Sequence, residues 1–354
     1  MKQWDNAMQS GRDFLALIRA RDWWDSKLTF PLGVAYALAW RLHIPAHNLW
    51  SPLLLLMAAG ITCAIFASIF NDLLDQREDR LAGKTTGMMR LSPAGQRATL
   101  AAVLASMTAT AFLLRHNLAA LLLYLSMWLL FTAYSLPPVR LKERGVWGAL
   151  CLAVGEHLLF ALLTIVLIAP KGGPAPAVWI GGMSVWAIAF GLRSTLWHQL
   201  DDARNDRVTG TATLGARRDP VFLRRLGERI VFPIELCAFG VILVLSGSSI
   251  AWILLAFYVA LEWLRTRYLA ANVTIVAPAV NFRFAMLEYY QFFFPVAYLL
   301  EYARVEQGAW VLLAAQLLLF PAPGWLMISH VAHILRWRVL SRIIHRWRRL
   351  THNS

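Results

Sequence analysis

Residues 71–83 read Asn71-Asp72-Leu73-Leu74-Asp75-Gln76-Arg77-Glu78-Asp79-Arg80-Leu81-Ala82-Gly83, and they return in altered form as His198-Gln199-Leu200-Asp201-Asp202-Ala203-Arg204-Asn205-Asp206-Arg207-Val208-Thr209-Gly210. Asp75 and Asp202, Asp79 and Asp206, Arg80 and Arg207, and Gly83 and Gly210 all stand 127 residues apart. A chance scatter of acidic residues rarely keeps one offset, so the chain reads as two related halves, about 28–145 and 146–302. Each copy follows a long apolar run, which places a carboxylate cluster where a helix leaves an apolar medium.

That medium is a lipid bilayer. Of 354 residues 58% are hydrophobic and 15% charged, against roughly 25% charged in a soluble domain. Crossing a hydrocarbon layer of ~30 Å takes ~20 helical residues, and suitable runs fall at about 28–44, 50–70, 97–114, 118–137, 146–169, 176–197, 230–247, 249–270, 284–302 and 308–334. The expected fold is an all-α polytopic membrane bundle of nine or ten transmembrane helices. Arg41 interrupts the first run, while Pro321, Pro323 and Gly324 interrupt the last, so either is expected to be kinked or re-entrant. Residues 1–27 form an N-terminal segment, 28–334 the membrane domain with 308–334 as an extra C-terminal piece, and 335–354 a basic tail.

A net charge of +14 invites a nucleic-acid reading, which the distribution of charge excludes. The segments 1–27, 71–97, 138–146, 198–230, 265–283 and 335–354 hold 29 of the 34 Lys and Arg residues. This alternation is the positive-inside pattern, and it puts both termini and both acidic motifs in the cytoplasm of an inner or plasma membrane protein. The tail interleaves Trp337 and Trp347 with Arg336, Arg338, Arg346, Arg348 and Arg349, a composition suited to anionic membrane lipid. Cys63, Cys151 and Cys237 sit in apolar runs without metal-ligand spacing and read as packing residues.

If helix continues through each motif, Asn71, Asp75 and Asp79 share one face, as do His198, Asp202 and Asp206. Crowded carboxylates at a low-dielectric boundary repel one another and call for a cation. Hard oxygen donors suit Mg²⁺, which usually shares itself between a few carboxylates and substrate phosphates, so the implied ligand is a diphosphate. His198 suits a phosphate or a neighbouring carboxylate better than Mg²⁺. Between the halves, Tyr134-Ser135-Leu136-Pro137-Pro138-Val139-Arg140-Leu141-Lys142-Glu143-Arg144-Gly145 stops a helix and brings Arg140 and Lys142 to the same side, where a guanidinium fork and a mobile ammonium can grip phosphate. Arg144 reads as a topogenic charge.

Together these segments resemble the UbiA superfamily of intramembrane prenyltransferases. The first motif is similar to its Asn-Asp-x-x-Asp-x-x-x-Asp pattern, including Arg80, Gly83 and Lys84. The Tyr134 to Lys142 stretch is similar to its loop between helices four and five, and Asp202 to Arg217 to its second motif. Arg19-Ala20-Arg21-Asp22-Trp23 is similar to its N-terminal Arg-Pro-x-x-Trp, with Ala20 in place of Pro. The resemblance implies a helical bundle around a central cavity open sideways to lipid. It implies Asn71, Asp75, Asp202 and Asp206 as metal and diphosphate ligands, Asp72 and Asp79 in support, and Arg21, Lys84, Arg140 and Lys142 on the diphosphate, with Tyr134 and His198 beside it. Two departures are His198-Gln199 at the head of the second motif and the extra segment 308–334.

The chemistry implied is ionisation of an allylic isoprenyl diphosphate, assisted by Mg²⁺, and capture of the prenyl cation by a lipophilic or aromatic acceptor. Ionisable residues inside a membrane are costly. Glu156 and His157 in one span and Glu288 and Gln291 in another are therefore expected on the acceptor side, with Arg193 either near Asp201 or a phosphate or held in a simple salt bridge. Phe131, Trp128, Tyr289, Tyr290 and Phe292 offer π faces to a cation. A terpene cyclase of the same superfamily is the alternative, and a transporter ranks third, because its charges would sit near the bilayer midplane.

Overall fold

The computed structural model describes residues 11–278 and 280–351, with side chains to Arg336. The expected lipid contact of the basic tail rests on side chains outside the described residues. In chain order the helices are α1 (Ala20–Lys27), α2 (Thr29–Arg41), α3 (Trp50–Leu74), α4 (Gln76–Leu81), α5 (Pro93–Leu114), α6 (Leu118–Ser135), α7 (Val146–Leu152), α8 (Leu159–Ile168), α9 (Ala177–Thr209), α10 (Leu214–Arg217), α11 (Pro220–Leu226), α12 (Phe232–Ser246), α13 (Ser249–Leu269), α14 (Phe294–Val305), α15 (Ala309–Leu319) and α16 (Pro321–Thr351). Wide π turns at Ala153–Leu158, Gly227–Val231 and Tyr289–Phe293 lead into α8, α12 and α14.

Among the described residues seven helices are long and apolar enough to cross a membrane: Ala46–Leu74, Pro93–Leu114, Leu118–Ser135, Val146–Lys171, Ala177–Thr209, Pro220–Ser246 and Ser249–Leu269. The chain is an integral membrane protein. Their outward faces are apolar, as Leu104, Phe112, Leu122, Leu129, Ile253 and Trp263 show, because lipid and not water surrounds them. Helices α15 and α16 make an eighth span only if their 78° bend is counted within one crossing.

By this measure the expected nine or ten is not reached, since two expected spans fall short in length. Helix α2 has 13 residues, eleven of them buried, and the turn Tyr289–Phe293 with α14 has five and twelve. Both are interior elements. An aromatic cluster of Phe30, Trp186, Phe190, Phe239, Tyr290 and Phe294 fills the space beside α2, with Trp186 at 5.0 Å from Tyr290 and 4.9 Å from Phe239 between ring centroids.

Two buried ionic clusters hold the second half together. Arg193 donates in a fork to Glu235 at 2.6 and 2.7 Å and also reaches the carbonyls of Ile275 and Ala285 at 3.1 and 3.0 Å. It therefore ties α9 to the strap between α13 and α14, where Asn272–Thr274 pairs in parallel with Phe282–Phe284. The expected pairing of Arg193 with Asp201 or a phosphate is not formed, because Glu235 already satisfies the guanidinium. In the second cluster Arg265 and Arg283 bind Glu262 and Glu288.

The break before α16 is also held from a distance. Phe320 leaves the helical region, and Pro321 then starts the next helix where a proline is tolerated. Trp24 Nε1 donates to the Leu319 carbonyl at 2.7 Å, and the Trp24 ring lies 5.9 Å from that of Phe320.

Candidate active site

Helix α3 does not run through the first motif. It stops at Leu74, Asp75 takes φ −97° and ψ 12°, and α4 begins at Gln76. The expected uninterrupted helix is thus broken, although Asp75 N–H still donates to Asn71 O and Asp79 N–H to Asp75 O, both at 2.9 Å. The break coincides with a clamp from the 136–145 loop. Lys142 forms an ion pair with Asp75 in which both side chains are nearly buried. Arg140 reaches Asp75 at 3.3 Å, Glu78 at 2.9 Å and Glu143 at 2.9 Å. Arg140 itself sits in the left-handed region at φ 34°, a strained conformation for a side-chain-bearing residue that its three carboxylate contacts hold in place. Arg144 donates to the Val139 and Pro138 carbonyls and braces the same loop.

The surroundings set the charge on this motif. Burial would raise the Glu78 carboxyl, but its own backbone hydrogen bond and Arg140 outweigh it and hold Glu78 below the usual carboxylate range. Asp79 goes the other way, pushed up by burial and by the Asp75 carboxylate. Asn71 Oδ1 accepts from Ser135 Oγ at 3.0 Å.

The second motif lies within the unbroken helix α9. Asp206 Oδ2 accepts from Thr213 Oγ1 at 2.7 Å, and the same hydroxyl caps α10 through Ala216 N at 3.2 Å. Asp202 is half-exposed, with Lys84 Nζ at 3.8 Å. Gly83 at φ 70° and Gly210 at φ 76° follow the two motif helices. The repeated glycine is therefore a helix-ending device, used where a Cβ would be strained.

Both motifs line one polar cavity of about 490 Å³, which takes in Asn71, Asp72, Asp75, Glu78, Asp79, Lys84, Tyr134, Lys142, His198, Asp202, Asn205 and Asp206. A second cavity of about 420 Å³ adjoins it and is mostly apolar, with Gly60, Cys63, Met127, Phe131, Phe160 and Leu28 in its wall. Arg19, Asn71, Tyr134, Leu152 and His198 belong to both. The arrangement can hold a polar head and an apolar tail end to end.

Most of the residues singled out from the sequence meet here, and several do not. Arg21 is exposed and lines neither cavity; Arg19 lines both and pairs with Asp72 at 3.1 Å and Asp22 at 2.8 Å. The chain turns left-handed at Arg19, φ 54°, which brings this guanidinium over the site. Burial would lower the Arg19 pKa, but Asp72 and Asp22 raise it further. Lys27 was also missed: in the apolar cavity it forms an ion pair with Glu156, which lies on the π turn Ala153–Leu158.

Of the expected acceptor-side residues Glu156 lines the apolar cavity, whereas His157, Glu288 and Gln291 line neither of the two. His157 packs edge-on against Phe30 and Phe190. Glu288 is held by Arg265, with Nη2 to Oε1 at 3.1 Å, and by Arg283; Gln291 donates to the Ser26 carbonyl at 3.0 Å. Tyr290 donates to Glu235 and Tyr289 to the Ala251 carbonyl, so among the proposed aromatic residues Phe131 alone faces the apolar cavity.

Among the described residues no three acidic, His or Cys side chains stand close enough to grip an ion by themselves. The donors lie instead across a cavity, and one buried oxygen, Asp72 Oδ2, has no hydrogen-bond partner. This set fits Mg²⁺, which needs only one or two carboxylates when a substrate phosphate and water complete its shell.

A family model, the UbiA prenyltransferase family, matches residues 28–289. A solved structure of a UbiA homolog from Archaeoglobus fulgidus superposes with a TM-score of 0.50 at 15% identity, covering 92% of this chain and 98% of that one. Another, of a UbiA homolog from Archaeoglobus fulgidus bound to GPP and Mg²⁺, gives 0.49 at 17% identity with 92% and 98% covered. No curated protein matches the chain. The chain belongs to the UbiA prenyltransferase family.

Proposed function

From that membership we propose that the chain is an Mg²⁺-dependent intramembrane prenyltransferase that ionises an allylic isoprenyl diphosphate and joins the prenyl group to a lipophilic or aromatic acceptor. One observation carries the reading: two matched acidic motifs and three cations, Arg19, Lys84 and Lys142, surround a polar cavity that shares its wall with an apolar one. The polar cavity suits the diphosphate and the apolar one the isoprenoid tail. Asn71, Asp75, Asp202 and Asp206 would hold Mg²⁺, with Asp72 and Asp79 in support. Bound there, Mg²⁺ supplies Lewis-acid stabilisation of the departing diphosphate.

The chain's own groups do the rest. Arg19, Lys84 and Lys142 balance the charge that develops on the leaving oxygens, in a partly enclosed site where each charge acts more strongly than in water, and Arg140, which lines neither cavity, acts behind them through Asp75. Tyr134 and His198, at the junction of the cavities, stand beside the allylic carbon. The carbon–oxygen bond breaks with its electron pair on diphosphate. The acceptor then supplies the pair for the new bond, and its proton passes to Glu156, which its ion pair with Lys27 orients. The basic loops favour a site facing the cytoplasm of an inner or plasma membrane; a reporter fused after Ser354 tests this and is expected to read as cytoplasmic.

The decisive assay combines purified protein, Mg²⁺, a panel of allylic diphosphates and membrane extract, with the lipophilic product identified by mass. A product heavier than an extract component by one prenyl group is expected. A cyclic hydrocarbon formed without any acceptor would overturn the transferase reading in favour of a cyclase.

A further inference from the structure

We infer that α16 does not cross the membrane but lies flat on its anionic cytoplasmic leaflet, with an exposed apolar stripe sunk into the lipid and its arginines on the headgroups. The helix starts at the end of the bundle that carries the two acidic motifs. Phe320, just before it, meets the Trp24 ring of α1. Gly324 lies against Phe292 of the π turn, and His330 stands within the field of Arg265, Arg283 and Glu262.

The first half of α16 is apolar on two faces. Met327 and Val331 pack against the core and Ile334 is buried, so these positions, spaced by four and three, form the protein side. Trp325, Ile328 and Leu335 lie on another face and are 73%, 56% and 57% exposed. On the other side of the bend Leu318, near the end of α15, is 79% exposed. A helix that is apolar on the side its own protein leaves open needs an apolar medium there. In an integral membrane protein that medium is lipid.

The bend and the charges decide how the helix meets it. Helix α15 packs along α14, and α16 turns 78° away from α15, close to a right angle and so toward the membrane plane. Its 31 residues extend roughly 46 Å at ~1.5 Å per residue, well beyond a hydrocarbon layer of ~30 Å. A crossing would carry arginines into that layer at high cost. No Asp or Glu follows Glu306, whereas Arg336, Arg338, Arg342, Arg346, Arg348 and Arg349 crowd the second half of the helix. Continued along the same helix, the exposed stripe reaches Val339 and Ile343. Apolar residues among unbalanced arginines suit an anionic lipid surface. They suit a second copy of this helix poorly, since pairing would bring like charges together.

Depth measurement tests the inference. Cys63 and Cys151 are buried and Cys237 is exposed, so a Cys237→Ser background allows one nitroxide at a time through Ile328→Cys, Leu335→Cys or Ile343→Cys. The full chain is reconstituted in phosphatidylcholine, alone or mixed with phosphatidylglycerol, and accessibility to oxygen and to a water-soluble nickel complex reports depth. In the mixed bilayer all three labels are expected at one depth, just beneath the headgroups. Replacing Arg338, Arg342, Arg346, Arg348 and Arg349 by Gln should raise nickel accessibility at the 343 label about tenfold and leave the 328 label unchanged. Phosphatidylcholine alone should release the 343 label in the same way. Depths that differ by about 10 Å between the 328 and 335 labels, the rise of seven helical residues, would make α16 a crossing helix and overturn the inference. A 343 label equally immersed with and without the arginines would overturn it as well. So would spin–spin broadening that vanishes when labelled chains are diluted with unlabelled ones, which would assign the exposed face to a second copy.

Discussion

At the first motif the chain breaks its helix at Asp75 and clamps that carboxylate between Lys142 and Arg140; at the second, α9 runs on unbroken and leaves Asp202 half in water with Lys84 at 3.8 Å. One spacing of acidic residues has two local structures. The first arm is already paired with cations and fixed, so its geometry is set before ligand arrives. In the second, Thr213 holds Asp206 but Asp202 has only Lys84 at 3.8 Å, so Asp202 gains most from a ligand that bridges it to the first. A diphosphate bound with Mg²⁺ is such a bridge, and its ordering cost falls mainly on the second arm.

This difference can be broken or sharpened by substitution. The largest expected effect is on turnover: Asp75→Asn and Asp202→Asn should each lower kcat by about 10²–10³ or more, as loss of a group that stabilises developing charge does, measured by diphosphate release. Their stabilities should separate. Asp75→Asn leaves Lys142 nearly buried without its partner and should cost roughly 3 kcal/mol, seen as a lower melting temperature in detergent, whereas Asp202→Asn should leave that temperature within about a degree. Equal melting temperatures would mean that the first arm is not held as the structure shows. Next in size, Arg19→Ala should raise the KM for prenyl diphosphate about tenfold, the loss of one charge-assisted contact. Arg21→Ala should change it less than about twofold, and the reverse order would restore the residue that the sequence pattern favours. Between these two falls Lys84→Met, with an expected KM increase of about two- to fivefold, because an exposed ion pair contributes under 1 kcal/mol.

The constant offset made the motifs, the loop at Arg140 and Lys142, and the end of the bundle that carries the site legible from residues alone, since each depends on helix periodicity and on where apolar runs stop. The break at Asp75 was not legible. It depends on a loop sixty residues away, and local propensity favours continuing the helix. Arg19 was hidden from the pattern for a similar reason: a left-handed turn at Arg19 itself decides which of two neighbouring arginines faces the cavity. Glu288 and Arg193 stand out as buried charges, but their partners Arg265 and Glu235 lie on other helices and Arg283 on the strand Phe282–Phe284, and no spacing rule connects them. Apolar content marked 28–44 and 284–302 as spans without revealing that they are enclosed by protein.

The hydrogen bond from Trp24 to the Leu319 carbonyl has a practical meaning for anyone who trims this protein. Leu319 lies beyond residue 289, where the family match ends, yet it anchors the helix that follows Arg19 and leads to Lys27. A shortened version ending after α14 would retain all the acidic residues of both motifs and would pass any inspection of conserved-looking chemistry. It would also lose one tether of its N-terminal helix, which Gln291, Asp72 and Glu156 would then hold alone. The packing of the N-terminal helix therefore reaches past the segment by which the family is recognised.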